Sequence, residues 1–343
     1  MNWLITGGCG FIGTNLAAYL FNNYQPSYVR FLDNLSVGTK EDLSEICDFV
    51  ERNVLSFNPL STIPPHQPPA THTAELVTGD IRDYETCLKC CNDIDIVVHL
   101  AANTGVAPSV ENPRKDMEAN VIGTFNMLEA ARQNNVKKFI FSSSGAPIGE
   151  VIPPITEDKP AKPVSPYGAS KLAGEGYCSA YFRTFGLKTI SLRFGNVYGP
   201  RSKHKGSAVA KFFKHAIAGE PIEIYGDGNQ TRDFIYIDDL VQAIMLSAKA
   251  DVGGEVFQIA TYKETTVYEI ACKIKEIIEK EIATKVQIIF GKPRLGDVKR
   301  NYSDISKARK ILGYEPRFDL HEGLKQTFDY FKLRYNLGKC LKS

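Results

Sequence analysis

Tyr167 and Lys171 stand four residues apart in the segment PYGASK, a spacing that places two side chains on one face of a helix. A lysine ammonium beside a phenol favours the phenolate, so the pair predicts a tyrosine that works as a base near neutral pH. Ser144 lies upstream in the segment SSSGAP, and a hydroxyl near the reacting oxygen can share its proton. A Tyr–Lys pair is also common on the surface of amphipathic helices, so the chemistry depends on what else the chain provides.

A glycine-rich segment near the N-terminus provides the second motif. In ITGGCGFIGTNL, Gly8, Gly10 and Gly13 match GxGxxG between a predicted strand and a predicted helix, and Asp33 ends the next predicted strand. Such glycines let a pyrophosphate approach the backbone at the helix N-terminus, and the aspartate can bind the adenosine ribose hydroxyls. The alternative is a tight structural turn. With strand, helix and aspartate all in place, the pattern predicts a dinucleotide site. A carboxylate at position 33 favours NAD over NADP because it repels a 2′-phosphate.

The elements that position these residues follow from the alternation of short apolar runs and amphipathic helices. The runs are typical of strands buried on both faces of a parallel sheet; they read WLIT, YVRFLD, ELVTGD, DIVVHLAA, KKFIFSSS and KTISLRFG. The clearest helical patterns are PRKDMEANVIGTFNMLEAARQNN and PYGASKLAGEGYCSAYFRTFG. The chain is therefore predicted to be α/β, a Rossmann-type doubly wound parallel sheet. After Gly199 the alternation weakens, which predicts a smaller mixed α/β region.

The composition excludes several classes of protein. The 343 residues carry a net charge of +2, which gives no reason to expect a nucleic-acid or membrane partner. No apolar run reaches the roughly 18 residues of a membrane span, and the N-terminus lacks the basic segment of a signal peptide. We therefore expect a cytoplasmic protein.

Three of the eight cysteines, Cys87, Cys90 and Cys91, form a CxxCC cluster. No second CxxC or HxxxH follows at zinc-finger spacing, and the cluster falls in a helical pattern that begins near Asp83. Reduced, partly buried thiols are favoured over a metal site, so no metal is expected.

Four motifs together carry a resemblance to a known family. TGGCGFIG, HLAA at 99–102, YGASK and RFGNVYGPR resemble the extended short-chain dehydrogenase/reductases that act on nucleotide sugars, most of all the UDP-sugar 4-epimerases. The resemblance runs from residue 2 to about residue 330. It implies NAD as cofactor and a nucleotide sugar, with UDP favoured, as substrate.

The resemblance also implies roles for individual residues. Ser144, Tyr167 and Lys171 match the catalytic trio of the family. The implied cofactor-binding residues are Gly7, Gly10, Phe11, Ile12, Gly13, Asp33, Asn34, Asp80, Ile81, Leu100, Ala101, Ala102, Asn120, Tyr167 and Lys171. The implied substrate-binding residues are Thr104, Ser144, Asn196, Arg232, Arg294, Asp297 and Asn301. The two arginines would clamp the two phosphates, a role that suits the planar guanidinium.

Two domains are expected. Residues 1–190 would form the NAD-binding Rossmann domain, to which later segments at about 230–260 return. Residues 191–343 would form mainly the nucleotide-sugar-binding region. The segment 54–73 is rich in Pro, Ser and Thr and predicts an exposed irregular loop inserted in the first domain.

The two residues after Ser144 discriminate among the reactions of the family, all of which begin by oxidising the sugar C4 hydroxyl. By resemblance, 4,6-dehydratases carry Asp-Glu after the hydroxyl residue, and uronate decarboxylases carry a glutamate two places after it. Here Gly145 and Ala146 occupy those places. Elimination needs its own acid and base, whereas an epimerase only returns the hydride to the other face of a transient 4-keto sugar. We therefore expect NAD-dependent C4 epimerisation, an isomerase activity.

Alternatives to that activity remain at this stage. A decarboxylase or 4,6-dehydratase of the same family is the first, and a non-catalytic NAD-binding regulator is the second. The family pattern after the serine ends in Val-Tyr-Gly, whereas this chain has Pro147, Ile148 and Gly149. The tyrosine that usually lies near the substrate is therefore replaced.

The sugar stays open among a UDP-hexose, a UDP-N-acetylhexosamine and a UDP-hexuronate. By resemblance, the size of residue 301 governs whether a bulky C2 acetamido group enters, and Asn301 is intermediate. The C6 carboxylate of a uronate could be bound by hydroxyl groups, which Ser142, Ser143 and Thr104 could supply. The resemblance further implies a homodimer in which the helices around 114–134 and 166–186 form a four-helix bundle; both patterns are more apolar than one buried face requires.

Overall fold

A computed structural model describes residues 1–53, 74–282, 284–293 and 298–335. The proline-rich segment 54–73 lies outside these described residues. The chain divides into two compact units. Unit 1 comprises Met1–Glu150, Lys159–Arg193 and Ala243–Phe257, and unit 2 comprises Val151–Asp158, Phe194–Gln242 and Gln258–Ser343. The assignment of cofactor binding to 1–190 and of substrate binding to 191–343 stays a prediction.

The strands and helices alternate as the sequence pattern predicts. The strands are β1 Asn2–Thr6, β2 Tyr28–Asp33, β3 Val50–Asn53, β4 Ala74–Thr78, β5 Ile96–His99, β6 Lys138–Ser144, β7 Lys188–Phe194, β8 Asn196–Tyr198, β9 Ile222–Tyr225, β10 Thr231–Arg232, β11 Phe234–Tyr236, β12 Glu255–Ile259, β13 Thr265–Thr266 and β14 Ile288–Gly291. The α-helices are α1 Phe11–Tyr19, α2 Lys40–Ser44, α3 Tyr84–Cys90, α4 Val106–Glu111, α5 Pro113–Met117, α6 Gly123–Gln133, α7 Pro166–Phe185, α8 Ala208–Ile217, α9 Ile237–Lys249, α10 Val267–Ile282, α11 Ser306–Leu312 and α12 Leu320–Arg334. Wider π-helical turns at Leu20–Tyr24 and Glu118–Ile122 extend α1 and join α5 to α6.

Eight strands form one sheet in the order β12-β7-β6-β5-β1-β2-β4-β3. Strand β1 pairs in parallel with both β2 and β5, so the strand order reverses at β1. In a doubly wound sheet the crevice at such a reversal, outside the carboxyl ends of the strands, is where dinucleotides bind. The sheet interior is fully buried, with Leu4 and Ile5 on β1 and Val97 and Val98 on β5 all inaccessible to solvent. The predicted Rossmann-type fold is confirmed.

Unit 2 is mixed, as expected. Strands β8 and β11 pair in parallel, β9 and β14 pair in parallel, and β10 and β13 pair in antiparallel fashion. Helices α8, α10 and α12 pack together, and their core includes Phe213 beside Phe328 and Phe331. Because these strand pairs are short, connecting segments form much of the described part of unit 2.

The three clustered cysteines lie on or directly after α3, in the core of unit 1. Cys87, Cys90 and Cys91 pack in a cluster with Val97 and Phe139. Burial raises the pKa of the Cys90 thiol to about 12, so this thiol stays protonated at neutral pH. Among the helices of the described residues, none is long and apolar enough to cross a membrane.

Candidate active site

The turn between β1 and α1 is closed tightly by its glycines. Gly7 adopts a left-handed φ of 69°, its amide donates to Leu32 O at 2.8 Å, and the Gly10 amide donates to Gly7 O at 3.1 Å. A Cβ at Gly13 would lie 2.5 Å from Gly7 O and 2.6 Å from Gly8 O, so only glycine allows the helix to begin this close to the strand. This geometry explains why α1 starts at Phe11, with Ile12 and Gly13 in its first turn.

The outer side of the same turn is open. A Cβ built on Gly10 would meet only Gly7 O within 4 Å, at 3.2 Å. The first amides of α1 have no partner within the helix, and the helix dipole favours an anion there. The turn therefore has both the space and the donors that a pyrophosphate needs.

Asp33 ends β2 beside this turn and holds the loops around it. Its Oδ2 accepts from the Cys9 amide at 2.9 Å, and its Oδ1 accepts from the Leu35 amide at 2.8 Å. Burial raises the pKa of the Asp33 carboxyl, and the two backbone hydrogen bonds oppose that shift. That this carboxylate binds the adenosine ribose and disfavours a 2′-phosphate stays a prediction.

The neighbouring strand end, after β4, presents Asp80 and Ile81. Asn34 Nδ2 donates to Asp80 Oδ2 at 3.1 Å, and Arg82 donates to both carboxylate oxygens. These hydrogen bonds, led by that from Arg82, lower the pKa of Asp80 to about 2. Ile81 is buried and lies against Gly123, where a Cβ would come within 2.5 Å of it.

After β5 the chain runs Leu100, Ala101, Ala102. The Leu100 amide donates to Thr6 O at 3.1 Å, and the Ala101 amide donates to Thr6 Oγ1 at 3.1 Å. These bonds hold the segment against the end of β1, next to Gly7, where any Cβ would lie 2.9 Å from the Ala101 nitrogen. Thr104 follows on the surface and is exposed.

Asn120 ties the segment after β5 to helix α7. Its Oδ1 accepts from the Asn103 amide at 2.8 Å, and its Nδ2 lies 2.9 Å from Asn103 O and 3.2 Å from Ser170 Oγ. Asn120 therefore supports the segment after the end of β5, while its implied role in cofactor binding stays a prediction.

The trio that is predicted to be catalytic (Ser144, Tyr167 and Lys171) lies at the end of β6 and the start of α7. Ser144 is the last residue of β6, and the other two lie in the first two turns of α7. Ser165 caps α7 by accepting from the Gly168 amide at 3.1 Å. Lys171 is 2% exposed, and its Nζ donates to Ser142 O at 2.9 Å.

Burial acts against the charged form of both members of the Tyr167–Lys171 pair. Burial raises the pKa of Tyr167 to about 12, against an opposing hydrogen bond with Ser144. Burial lowers the pKa of Lys171 to about 8, against the opposing field of Asp116. The Lys171 Nζ lies 5.9 Å from the centre of the phenol ring. That Lys171 makes Tyr167 a base near neutral pH stays a prediction.

A tight turn follows Ser144. The Ala146 amide donates to Ser144 Oγ at 3.2 Å, and residues Ala146–Ile148 form a single 3₁₀ turn with Pro147 and Ile148 buried. A Cβ at Gly168 would lie 2.6 Å from Ala146 O, so the turn packs directly onto the start of α7. No carboxylate can be supplied from positions 145 and 146.

A family model described as "NAD dependent epimerase/dehydratase family" matches residues 3–260. The chain belongs to this family. The open face of Gly10 and the Asp33 carboxylate fit the pyrophosphate and the ribose of NAD, which is the cofactor of the family.

Individual members of the family differ in the sugar they handle. The UDP-glucose 4-epimerase of Thermotoga maritima, solved with UDP-glucose, is 36% identical, with a TM-score of 0.84 over 98% of this chain and 100% of that one. The UDP-N-acetylglucosamine 4-epimerase of Methanobrevibacter ruminantium M1, solved with UDP-N-acetylmuramic acid, is 31% identical, with a TM-score of 0.82 over 97% of this chain and 98% of that one. A UDP-glucuronate 4-epimerase of Thermodesulfobacterium geofontis is 32% identical over 99% of each chain.

The predicted substrate residues of this epimerase/dehydratase lie mainly in unit 2. Asn196 begins β8 with an exposed side chain, and its amide donates to Asp233 O at 2.7 Å. Arg232 is half-buried in β10, and its Nη1 lies 2.6 Å from Thr231 O and 2.7 Å from Val298 O. Asn301 is half-buried in the segment before α11. The predictions for Arg294 and Asp297 fall outside the described residues.

Three buried charged residues near the trio were not identified from the sequence. Glu175 and Arg193, each with a side chain only 5% exposed, form a two-pronged ion pair at 2.7 and 2.8 Å. Asp116 is 1% exposed, and its Oδ1 accepts from Asn120 Nδ2 at 2.9 Å. The available signal was helical spacing, because Glu175 follows Lys171 by four residues and Asp116 precedes Asn120 by four.

Proposed function

We propose that this protein catalyses the NAD-dependent C4 epimerisation of a UDP-linked sugar through a transient 4-keto intermediate. One observation carries the proposal: the trio is assembled at the end of β6 while Gly145 and Ala146 follow Ser144. Such a site can remove and return a proton at a sugar hydroxyl. Loss of water or of carbon dioxide needs a further acid or base, and the positions that supply it in the dehydratases and decarboxylases are apolar here.

Each residue of the trio has a distinct part in this chemistry. Tyr167, as the phenolate, accepts the proton of the C4 hydroxyl during oxidation and, as the phenol, returns it during reduction. Ser144 hydrogen-bonds to the phenol, which favours the phenolate. Lys171, held by Ser142 O, supplies positive charge that stabilises the phenolate before it takes the proton. When bound, NAD would supply the acceptor and then the donor of the C4 hydride.

The phosphates of the substrate belong to unit 2 in this proposal. Arg232, with a planar guanidinium suited to phosphate oxygens, would bind the diphosphate together with Asn196 and Arg294, and Asp297 would bind nucleoside or sugar hydroxyls. Asn301 would limit the group at C2, and Thr104 with Ser144 would contact the sugar. The support is the match of these residues to the motifs of the family and the different sugars of its members.

Incubating the purified protein with single UDP-sugars tests the reaction. The panel consists of UDP-glucose, UDP-N-acetylglucosamine and UDP-glucuronate, and the anomeric proton signals are followed by NMR. We expect one of them to convert to a mixture with its C4 epimer, without loss of mass. A product lighter by water or by carbon dioxide would contradict the proposal and indicate the dehydratase or decarboxylase alternative. No conversion of any sugar would favour the non-catalytic regulator.

A homodimer belongs to the same proposal, with the helices around 114–134 and 166–186 pairing into a four-helix bundle. These helices carry an exposed apolar surface, made of Met117, Ile122, Phe125, Tyr177 and Phe185. Exposed apolar patches of this kind mark association sites, and a second copy would bury the same surface on both sides.

Light scattering after size exclusion tests the dimer. We expect twice the mass of 38.1 kDa, and a monomer for Phe125→Asp, which buries a charge in the interface. The matched control Phe290→Asp, at an exposed position of β14 in unit 2, should stay dimeric. A wild-type monomer at micromolar concentration would contradict this part.

We also propose a cytoplasmic location. The cysteines of the described residues are free thiols, a state typical of reducing compartments. Cell fractionation tests this, and recovery of the protein outside the cytosolic fraction would contradict it.

A further inference from the structure

Four charged side chains, one of them Lys171 itself, are buried at the catalytic pair, and their charges sum to zero. Lys171 and Arg193 are the cations, and Glu175 and Asp116 are the anions, each at most 5% exposed. A buried ion is stable only when its charge is compensated nearby. How these four charges are matched therefore decides the protonation of the catalytic lysine.

Glu175 is committed to Arg193. Both of its oxygens accept from the guanidinium, and Oε1 also accepts from the Ser143 hydroxyl. This two-pronged geometry is the strongest form of ion pair. Of the two buried anions, Asp116 is the one whose charge raises the pKa of Lys171 more.

Asp116 is built into the support of the catalytic helix. Helix α5, which carries it, packs against α7. Its Oδ1 accepts from Asn120, Asn120 lies 3.2 Å from Ser170 Oγ, and the Ser170 hydroxyl donates to Tyr167 O at 3.0 Å. The carboxylate is thus linked through two side chains to the helical turn that carries the catalytic pair. Its Oδ2 is buried and makes no hydrogen bond within the described part of the chain, so the hydrogen bond at Oδ1 satisfies only half of the carboxylate.

The other titratable groups around Lys171 do not compete for this role. The pKa of His99 on β5 is lowered to about 3 by burial, so its ring is neutral. The pKa of Cys178 on α7 is raised to about 12 by burial, so its thiol is neutral. Glu118 of the π-helical turn lies near the arginines Arg82 and Arg114, and Glu129 on α6 pairs with Arg132.

We propose that Asp116 is a positioning residue for the reaction, a buried counter-charge that keeps Lys171 protonated while its hydrogen-bond chain through Asn120 and Ser170 holds the start of α7. The kinetic effect of Asp116 rests on the proposed epimerase activity. Its effect on the protonation of Lys171 does not depend on that activity. The charge of Asp116 shifts two pKa values in the same direction. The Asp116 charge raises the pKa of Lys171 and also raises the pKa of Tyr167. Removing it lowers both.

The first test measures Lys171 without any turnover. In the holoenzyme with ¹³C-labelled lysine, the Cε resonance of Lys171, identified by its loss in Lys171→Met, titrates apart from those of surface lysines. Asp116→Asn keeps a hydrogen-bond acceptor for Asn120 but removes the charge. We expect the Lys171 midpoint to fall by about one pH unit, the order of effect of one nearby charge. The control Glu111→Gln removes an exposed carboxylate of α4 and should leave the midpoint unchanged.

The second test is the pH profile of kcat on whichever sugar is turned over. For Asp116→Asn we expect both limbs to move to lower pH, with an additional loss of about tenfold at the alkaline end. Asp116→Glu, which restores the charge, should recover most of the alkaline activity. A residue with a structural role only would lower kcat equally at all pH values.

The outcomes separate the two proposals. An unchanged Lys171 midpoint in Asp116→Asn, or in Asp116→Ser should the first variant not fold, overturns the role of Asp116 whatever the enzyme does. A shifted midpoint in a protein that epimerises none of the sugars supports the charge pairing and contradicts the proposed function.

Discussion

The candidate residues of the two units differ in burial and in hydrogen bonding. In unit 1 the trio, Asn120 and Asp33 are buried or half-buried and hydrogen-bonded. In unit 2 Asn196 is exposed, and Arg232 and Asn301 lie on short strands or connections. Groups that perform a reaction common to a family gain from rigid placement at the ends of secondary structure, whereas groups that choose a substrate can lie on loops that vary. This contrast predicts that changes in unit 1 affect rate and changes in unit 2 affect substrate choice.

The largest expected effect is that of Tyr167→Phe in unit 1. Removing the phenol hydroxyl removes the base, so kcat should fall by about 10³-fold, within the usual contribution of a general base. Initial rates by NMR measure it. The control Tyr181→Phe, on the same helix, loses only a hydrogen bond to Glu129 and should keep its rate. A Tyr167→Phe variant with near-normal turnover would favour the non-catalytic regulator.

Lys171→Met should inactivate the protein and remove one pH dependence from its stability. The pKa of Lys171 is lowered by burial from 10.5 to about 8, so the folded protein binds the proton less tightly than the unfolded chain does. The buried ammonium therefore lowers the free energy of unfolding. This destabilisation is fully present below pH 8 and disappears as the pH rises from 8 to 10.5. A shift of this size corresponds to roughly 3 kcal/mol.

Denaturant unfolding at pH 7 and at pH 10.5 measures this effect. We expect the free energy of unfolding of the wild type to rise relative to that of Lys171→Met between pH 7 and pH 10.5. At pH 7 the variant also leaves the buried Asp116 without its counter-charge, so its absolute stability should not exceed that of the wild type. Lys115→Met, at an exposed position of α5, serves as the control and should follow the pH dependence of the wild type. An equal pH dependence in the wild type and Lys171→Met would contradict the lowered pKa of Lys171.

In unit 2, Arg232→Lys should raise KM about tenfold and leave kcat within a factor of two. A lysine cannot reproduce two parallel hydrogen bonds to phosphate oxygens. The control Arg300→Lys changes an exposed arginine that pairs with Glu264 and should not alter KM. Loss of stability at constant KM would show instead that the contacts of Arg232 with Thr231 O and Val298 O are its main role.

The smallest effect is expected for Asn301→Ser. A shorter side chain should shift the ratio of kcat/KM for UDP-N-acetylglucosamine over UDP-glucose upward by roughly fivefold, toward the lower end of what pocket size discriminates. Competition between the two substrates measures the ratio directly. A change in kcat with an unchanged ratio of kcat/KM for the two sugars would show that Asn301 does not contact the substrate. It would also weaken the contrast between the two units.

The sequence by itself determined the order of elements, the glycine turn and the trio. These are local patterns: the turn at Gly7–Gly13 is dictated by close backbone contacts, and the spacing of Tyr167 and Lys171 follows from helical geometry. The same local reasoning also located Asp33 and the strand ends. It could not give the protonation of Tyr167, because desolvation depends on everything packed around a side chain.

Only the tertiary structure decided which charges meet. Asn120 and Ser170 are 50 positions apart in the chain yet lie 3.2 Å apart in the fold, and this contact is what connects Asp116 to the catalytic helix. Likewise Arg193 on β7 neutralises Glu175 on α7, a pairing that no spacing along the chain reveals. Burial and charge pairing are properties of the packed core, so they, and with them the working state of Lys171, were fixed by tertiary contacts.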